Sequence, residues 1–200
     1  QTYRIGASAP FIAVFLLPTL AKPGAKQGGA RFDVETVKDS DIERRLHDLT
    51  LEFGIVTQSR LSRPLSSKEI GQWRLNLWVP RALCKNAGQA LRAFKQKRLP
   101  LVLPVSELPS AEIEALRDYE PTLACSSFLE ARTALLQQGV ATVLPDFLDL
   151  GNASGGFLSP RVPELAPLVF RHHLAWNPRL LRLNPHAARR RDALIAGLGR

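Results

Sequence analysis

Short apolar runs alternate along this chain with segments of helical periodicity. Residues 73–80 (WRLNLWVP) show the clearest strand pattern, because Trp73, Leu75, Leu77 and Val79 fall on one face. Other runs predict strands at 2–6, 31–37, 53–56, 99–103, 122–125 and 140–144, with extended chain at 168–176. Strands that alternate with helices are typical of an α/β protein, and this is the predicted fold class.

Helix-start signals lie between these strands. Ser40 and Glu43 have the spacing of a capping box, as do Ser127 and Glu130, and Gly139 predicts the end of the second of these helices. Further helices are predicted after Ser8, after Asn86, over residues 110–119 and after Asn184. The Gly/Ser-rich residues 152–160 are predicted as a loop.

The strands form two clusters along the chain, one on each side of Trp73. The last predicted helix carries an apolar face that needs a sheet to cover it. If that helix returns to the first cluster, two chain crossings join two lobes, which we place at 1–72 with 172–200 and at 73–171. Ligands of open α/β sheets bind at the carboxyl ends of the strands, so the expected site is the cleft between the lobes.

The composition excludes several classes of protein. The 200 residues hold only two cysteines, which cannot form a disulfide scaffold, and no Cys or His spacing matches a metal site. The longest apolar stretch, 11–20, is interrupted by Pro18 and is shorter than the about 20 residues of a membrane span. Nucleophile-elbow and nucleotide-binding motifs are absent. We therefore expect no metal, no cofactor and no enzymatic activity.

The ends of the chain bear on its origin and partners. The start resembles a secretory signal only faintly, because no cleavage site follows, and the lack of an initial Met indicates a piece of a longer protein.

The net charge is +9, of which residues 161–200 contribute +6. This surface suits nucleic acid, an anionic ligand or an acidic partner. We favour a solvated helix face, because no aromatic residue lies among Arg189, Arg190 and Arg191 to stack bases.

Five segments carry a resemblance to a known family. They are RIGASAPFIAVFLLPTL (4–20), FDVETVKDSDIERRL (32–46), LEFGIVTQSRLSRPL (51–65), LNLWVPRAL (75–83) and ALLQQGVATVLP (134–145). In this order they resemble the effector-binding (regulatory) domain of LysR-type transcriptional regulators and, more distantly, the type 2 periplasmic binding proteins. The chain departs from the family at Pro23, Gly24, Gly28 and Gly29, where the first helix of the family usually continues.

The resemblance implies two Rossmann-like lobes joined by two crossover strands. It implies that the lobes hold a small effector between them and that an N-terminal winged helix-turn-helix, which these residues do not include, binds DNA. In the family's dimer the strand at 31–37 and the first helices pair side by side, so we expect a cytoplasmic homodimer or tetramer. A basic chain with hydroxyls at helix N-termini favours an anionic effector such as a carboxylate.

The first lobe holds candidate contacts for the effector, of which Ser8 and Thr57 match positions of the family. Ser8, with the backbone of Ala9, matches the family's polar position after the first strand, and a plain N-cap is the alternative. Thr57, directly after FGIV, matches a hydroxyl position commonly used for ligands, and a turn residue is the alternative. Lys38 is placed to neutralise an anionic effector, although a lone exposed lysine is more often solvated.

The second lobe supplies three more candidates, all of them serines. Ser106 follows the LVLP strand and faces the cleft in this mapping, with an exposed loop serine as the alternative. Ser126 and Ser127 precede a helix, where capping alone explains Ser127. Cys125 beside them is interpreted as a buried structural cysteine, because a redox sensor needs an exposed thiol and a resolving partner.

Two adjacent histidines raise the question of a metal site. His172 and His173 lie in a predicted strand, so their side chains point to opposite faces and one metal ion cannot easily bind both. We predict that one faces solvent while the other is packed or hydrogen bonded.

The sequence therefore predicts the ligand-sensing domain of a LysR-type regulator, in which effector binding shifts the population of protein states. Three alternatives remain open. They are an extracytoplasmic solute-binding protein of the same fold, an enzyme on that fold, and direct DNA binding through the arginine-rich C-terminus, which would be strongly salt dependent.

Overall fold

The computed structural model describes residues 2–21, 31–57, 60–108, 110, 113–148 and 150–199. The chain divides into two compact units, here called unit 1 (Gln1–Gln72 and Phe170–Arg200) and unit 2 (Trp73–Val169). The sequence departure at Pro23, Gly24, Gly28 and Gly29 lies outside the described residues. Each unit is built around a five-stranded sheet with helices, which confirms the predicted α/β class.

The sheet of unit 1 has the strand order β2-β1-β3-β10-β4. Its strands are β1 (Thr2–Ala7), β2 (Arg31–Thr36), β3 (Phe53–Val56), β4 (Ser66–Trp73) and β10 (Phe170–Trp176). β1 pairs in parallel with both β2 and β3, whereas β10 runs antiparallel to β3. The carboxyl ends of β1, β2 and β3 therefore share one edge of the sheet.

Helices cover the sheet of unit 1. After β1 the chain forms α1 (Ala9–Phe11), a π-helix (Ile12–Leu16) and α2 (Leu17–Ala21) without interruption, and α3 (Asp39–His47) follows β2. The C-terminal helices are α6 (Pro178–Leu183) and α7 (Pro185–Leu198), each with an asparagine as N-cap. α7 buries Leu194 and Leu198 in one cluster with Tyr3, Ile5 and Leu174 of the sheet.

On the α3 side, two glycines let the helix lie close to the strands. Ile42 and Leu46 of α3 are fully buried. A Cβ atom at Gly6 would lie 2.6 Å from Leu51 Cδ1, and one at Gly54 would overlap Ile42 Cγ2. The sequence thus has glycine at two paired positions of neighbouring strands, where side chains of α3 and of the loop after it lie against the sheet.

The sheet of unit 2 has the strand order β7-β6-β8-β5-β9. Its strands are β5 (Leu75–Pro80), β6 (Leu101–Pro104), β7 (Leu123–Cys125), β8 (Ala141–Pro145) and β9 (Phe157–Leu158). β6 pairs in parallel with β7 and β8, and β5 pairs antiparallel with β8 and β9. The carboxyl ends of β6, β7 and β8 share an edge.

Unit 2 has two long helices, α4 (Ala87–Lys95) and α5 (Phe128–Gln138), and a 3-10 helix at Gly151–Gly156. Asn86 caps α4 by accepting from the Gln89 N–H at 2.9 Å. Ser127 and Glu130 form the predicted capping box of α5, and Gly139 ends that helix in the left-handed conformation. The local sequence signals are confirmed at both helices.

Four predictions of secondary structure were wrong. Lys38, not Ser40, is the N-cap of α3, so the first predicted capping box lies inside the helix. The predicted strand at 73–80 is broken at Arg74, where β4 ends and β5 begins. The described part of 110–119 forms turns rather than a helix, and the predicted loop at 152–160 contains the 3-10 helix and β9.

Because α3 lies close to the sheet, a single methyl group added at Gly54 should destabilise unit 1. Gly54→Ala forces Ile42 to move and should lower the free energy of unfolding by about 1–3 kcal/mol, measured by urea denaturation. Gly71→Ala in β4 is the matched control, because nothing lies within 4 Å of a Cβ there. Equal stability of the two variants would contradict the proposed close packing.

Candidate functional site

Three predicted site residues lie at one edge of the unit 1 sheet. Ser8 follows β1, Lys38 lies two residues beyond β2, and Thr57 follows β3. The register pairs Ala7 with Thr36 and Gly6 with Gly54, so the three positions follow the carboxyl ends of adjacent parallel strands. This edge is where the strand order predicts ligand binding in an α/β sheet.

The Ser8 hydroxyl lies at the start of the helical segment and has no hydrogen-bond partner among the described residues. Its backbone has the extended conformation of an N-cap, and its carbonyl accepts the Ile12 N–H at 3.0 Å, but its side chain makes no capping hydrogen bond. Ser8 and Ala9 are both half-buried, and Pro10 in the first turn has no N–H to satisfy. The plain N-cap interpretation therefore does not account for the Ser8 hydroxyl.

The Thr57 hydroxyl donates to a carboxylate. The backbone N–H and Oγ1 of Thr57 lie 3.0 Å and 2.5 Å from Oδ2 of Asp39, the first residue of α3. Because its proton is held by Asp39, the Thr57 hydroxyl has only lone pairs to offer a ligand. This pair accepts hydrogen bonds and does not donate to an anion.

Lys38 is exposed at the same edge. Its backbone occupies the N-cap position of α3, and its carbonyl accepts the N–H groups of Asp41 at 2.9 Å and Ile42 at 3.2 Å. Within the part of the chain that the structure describes, its ammonium group forms no ion pair. The positive charge is therefore available to a ligand.

The serines of unit 2 lie together at the edge formed by β6 and β7. Ser106 is exposed in the turn after β6, and Ser126 and Ser127 follow β7 directly. The register pairs Pro104 with Cys125, so the two groups follow neighbouring strand ends. Ser127 Oγ accepts the Glu130 N–H at 3.2 Å, which confirms its capping role.

Two carboxylates occupy the N-terminus of α5. Glu130 Oε2 accepts the N–H groups of Ser126 at 2.7 Å and Ser127 at 3.3 Å, and Glu107 Oε2 accepts the Phe128 N–H at 2.7 Å. Burial raises the pKa of Glu107, the Phe128 N–H opposes that rise, and the nearby Glu130 adds to it. The protein's own acidic groups thus fill the helix terminus that the sequence offered to an anion.

Asp39 and Glu107 were missed by sequence reasoning. Each bonds a backbone N–H 18 or 21 residues away, to Thr57 and Phe128 respectively, so no local motif marks it. The only available signal was position, because both residues follow strands near the edges where ligands are expected.

Cys125 is half-buried beside Ser126. Its Sγ lies 3.5 Å from the Ser127 carbonyl and 3.7 Å from the Leu103 carbonyl, to which the thiol donates. Burial, with further effects of Glu130 and Glu107, raises the pKa of the thiol, which disfavours the reactive thiolate. These contacts support the structural interpretation over a redox sensor.

Both histidines of β10 are buried, so the prediction that one of them faces solvent was wrong. His172 is 6% exposed and His173 is 7% exposed. The His172 ring packs edge-on against Phe11 at 4.5 Å between centroids. Burial, and to a lesser extent the neighbouring His173, lowers the pKa of His172 to about 4. The error arises because β10 is an inner strand with covered faces, which a two-residue pattern does not reveal.

Among the described residues no group of three or more His, Cys, Asp or Glu side chains is arranged to hold a metal ion. No helix in that part of the chain is both long and apolar enough to cross a bilayer.

An α/β chain of two units, with polar side chains at the carboxyl ends of parallel strands in each, has the architecture of a small-molecule-binding sensor domain. The sequence matches the family described as "LysR substrate binding domain" over residues 1–198. The chain belongs to this family, and it therefore has the type 2 periplasmic-binding-protein-like fold of a LysR-type regulatory domain.

Solved structures of LysR-type regulators share this fold. CrgA from Neisseria meningitidis superposes with a TM-score of 0.79 and 14% identity, over 100% of this chain and 69% of CrgA. The regulatory domain of MexT from Pseudomonas aeruginosa gives 0.70 and 17%, covering 100% of both chains. A reduced form of OxyR from N. meningitidis gives 0.74 and 14%, over 98% of this chain and 94% of OxyR.

A weaker sequence match is to an enzyme. Formate–tetrahydrofolate ligase from Sinorhizobium fredii is 26% identical over 149 residues, which are 71% of this chain, and the ligase from Rhizobium meliloti is 24% identical over the same length. The chain spans about a quarter of the length of these curated relatives, since the match covers 26% of each. The family match over residues 1–198 and the structural neighbours, which are transcriptional regulators, outweigh this similarity.

The buried His172 predicts a loss of stability in acid. Its pKa lies at about 4 in the folded protein and near 6.5 in the unfolded chain, so the unfolded state binds the proton more tightly. The contribution of His172 to the free energy of unfolding is constant above pH 6.5 and falls between pH 6.5 and 4, by about 3 kcal/mol at about 1.4 kcal/mol per pKa unit. Urea denaturation from pH 8 to 4 measures this slope.

His172→Leu should flatten the slope, whereas His186→Gln, at an exposed position in α7, should leave it unchanged. If the free energy of unfolding of His172→Leu falls with pH as steeply as that of the parent chain, groups other than His172 cause the acid sensitivity.

Proposed function

We propose that this chain is the sensing domain of a cytoplasmic LysR-type transcriptional regulator and that it binds a small organic acid. A DNA-binding domain elsewhere in the same protein would respond to the bound state. The observation that carries the proposal is the placement of Ser8, Lys38 and Thr57 at one edge of three parallel strands, in a chain of this family. We propose no catalytic step for these residues.

The contacts at this edge define the chemistry of the proposed effector. The free ammonium group of Lys38 and the unoccupied hydroxyl of Ser8, with the backbone N–H of Ala9, would bind an acidic group. Thr57 and Asp39 accept hydrogen bonds, so they favour a second group that donates. Both requirements are met by a carboxylic acid that also carries a hydroxyl or amino group.

The roles of the unit 2 serines follow from their contacts. Ser106 and Ser126 are exposed, and they remain candidate effector contacts. Ser127 is engaged as the cap of α5, so we assign it a positioning role. That residues of both units hold the same effector stays a prediction.

The proposed mechanism is a shift in population. An effector that binds one arrangement of the domain more tightly than another raises the share of that arrangement by its difference in affinity. A regulator needs no further chemistry, because the bound state itself carries the signal to the DNA-binding domain.

Effector binding is tested by screening organic acids against the purified chain by thermal shift and then by calorimetry. A hydroxy or amino acid should bind more tightly than the same acid without the donor group. Ser8→Ala, Lys38→Gln and Thr57→Val should each weaken binding by about tenfold, the loss expected for one hydrogen bond to a charged group.

Two substitutions serve as matched controls for this experiment. Ser159→Ala and Lys68→Gln change exposed residues of the same types in unit 2 and in β4. Both should bind as the unchanged chain does. If all five variants bind a confirmed ligand equally well, the proposed edge is not the effector site.

We also propose that the chain forms a homodimer through β2 and the first helices. β2 is one of the two edge strands in the described sheet of unit 1, the other being β4, and no described strand pairs with its outer edge. Leu17 of α2 is 50% exposed, although it is a large apolar side chain. An open edge and an exposed apolar residue support association there.

At about 100 µM, contacts of micromolar affinity are populated. Light scattering at this concentration should therefore give the mass of a dimer. Leu17→Lys should shift the population toward monomer, because it places a charge in an apolar contact. Leu183→Lys in α6, at a residue that is 67% exposed, is the matched control and should stay dimeric. A strictly monomeric parent chain would overturn this proposal.

A further inference from the structure

A cavity of about 490 Å³ lies within unit 2, beside β5. One wall is the start of β5 with Leu75 and Leu77, and the opposite wall is formed by Pro160, Val162 and Ala166. The proposed effector edge uses none of these residues. The cavity falls within the size range of small-molecule sites in proteins.

The cavity exists because the ladder between β5 and β9 stops early. β9 pairs only at Val79 with Leu158 and at Pro80 with Phe157. Continuing this antiparallel register would place residue 160 opposite 77 and residue 162 opposite 75. Pro160 cannot donate to a ladder because it has no N–H group. The two segments separate at this point, and the space between them is the cavity.

The polar groups that line this cavity are two arginines and one asparagine. Arg74 and Arg161 are exposed and Asn76 is half-buried. Among the described residues no acidic side chain lines it, and Glu164, the nearest acid along the 160–166 segment, pairs with Lys95 at 3.1 Å. Within the described chain neither arginine forms an ion pair, so two guanidinium groups are available to one ligand.

The rest of the lining is apolar. Five of its lining residues are apolar by type, and three of them, Leu75, Leu77 and Val162, are almost completely covered by their neighbours. Guanidinium groups bind carboxylate, sulfonate and phosphate oxygens with two parallel hydrogen bonds. Two guanidinium groups beside apolar residues suit a molecule that has a hydrophobic body and an anionic head.

We propose that this cavity is a second ligand site, which binds an amphipathic organic anion through Arg74 and Arg161. The proposal goes beyond the proposed effector site, because the residues and the chemistry differ. The effector edge offers one cation and hydrogen-bond acceptors, whereas the cavity offers two cations beside apolar residues. Occupation of this site would let the regulator respond to two molecules.

The experiment uses the ¹⁵N-labelled chain of 200 residues and 2-naphthoate as the probe. Titration should give saturable shifts at the backbone amides of Leu75, Leu77, Val162 and Ala166. The neutral 2-naphthamide should bind about tenfold more weakly, because it lacks the charge that the arginines recognise. Raising the salt concentration should weaken only naphthoate binding.

Four variants locate the contacts. Arg74→Gln and Arg161→Gln should each weaken naphthoate binding by about tenfold. Ala166→Leu should abolish binding by filling the cavity while both charges remain. Arg92→Gln in α4 removes an equal charge from an exposed position outside the cavity, so it should bind as the parent does.

Three results would overturn the proposal. The first is the absence of saturable shifts at the cavity amides. The second is unchanged affinity in both Arg74→Gln and Arg161→Gln, and the third is equal affinity for naphthoate and naphthamide. Ser8→Ala should leave naphthoate affinity unchanged, so this outcome is separable from that of the proposed effector site.

Discussion

The architecture of unit 1 depends on the close approach of α3 to the sheet. Gly6 and Gly54 pair across β1 and β3, and neither position has room for a Cβ atom. Ile42 and Leu46 fill the space that side chains would otherwise occupy, and both are fully buried. Because this packing fixes the position of α3, the first residues of the helix lie at the carboxyl ends of the parallel strands.

The position of the first residues of α3 determines what the candidate site can bind. Asp39, at the first position of α3, reaches the backbone and the hydroxyl of Thr57 and takes up both donors. In unit 2 Glu107 and Glu130 take up the donors at the start of α5 in the same way. Groups that resemble anion binders in the sequence are satisfied internally. In the proposed function, recognition of an acid therefore depends on cations that form no ion pair among the described residues, Lys38 above all.

Local signals in the sequence were sufficient for some elements and misleading for others. The capping box at Ser127 and the alternation within β5 were predicted correctly because each depends on neighbours a few residues away. The start of α3 was wrong by two residues because Lys38, not Ser40, takes the N-cap conformation while Asp39 is tied to distant Thr57. β4 was missed because SSKEIGQW has no strict apolar alternation, and its place beside β10 is a long-range pairing. For the site, the strand pattern predicted that Ser8, Lys38 and Thr57 follow three strands, as they do, and their role as effector contacts stays a prediction. The carboxylates beside them arise only from tertiary contacts.

The division of the chain into units has a consequence for protein synthesis. Unit 2 is one continuous stretch, whereas unit 1 needs β10, which lies between β3 and β4. A ribosome therefore completes every residue of unit 2 before it has made the strand that unit 1 lacks. Until then the nascent chain carries an open β3 edge, which is a template for pairing with other chains. Unit 2 can therefore fold before unit 1 is complete, and unit 1 stays exposed to pairing with other chains until β10 has emerged.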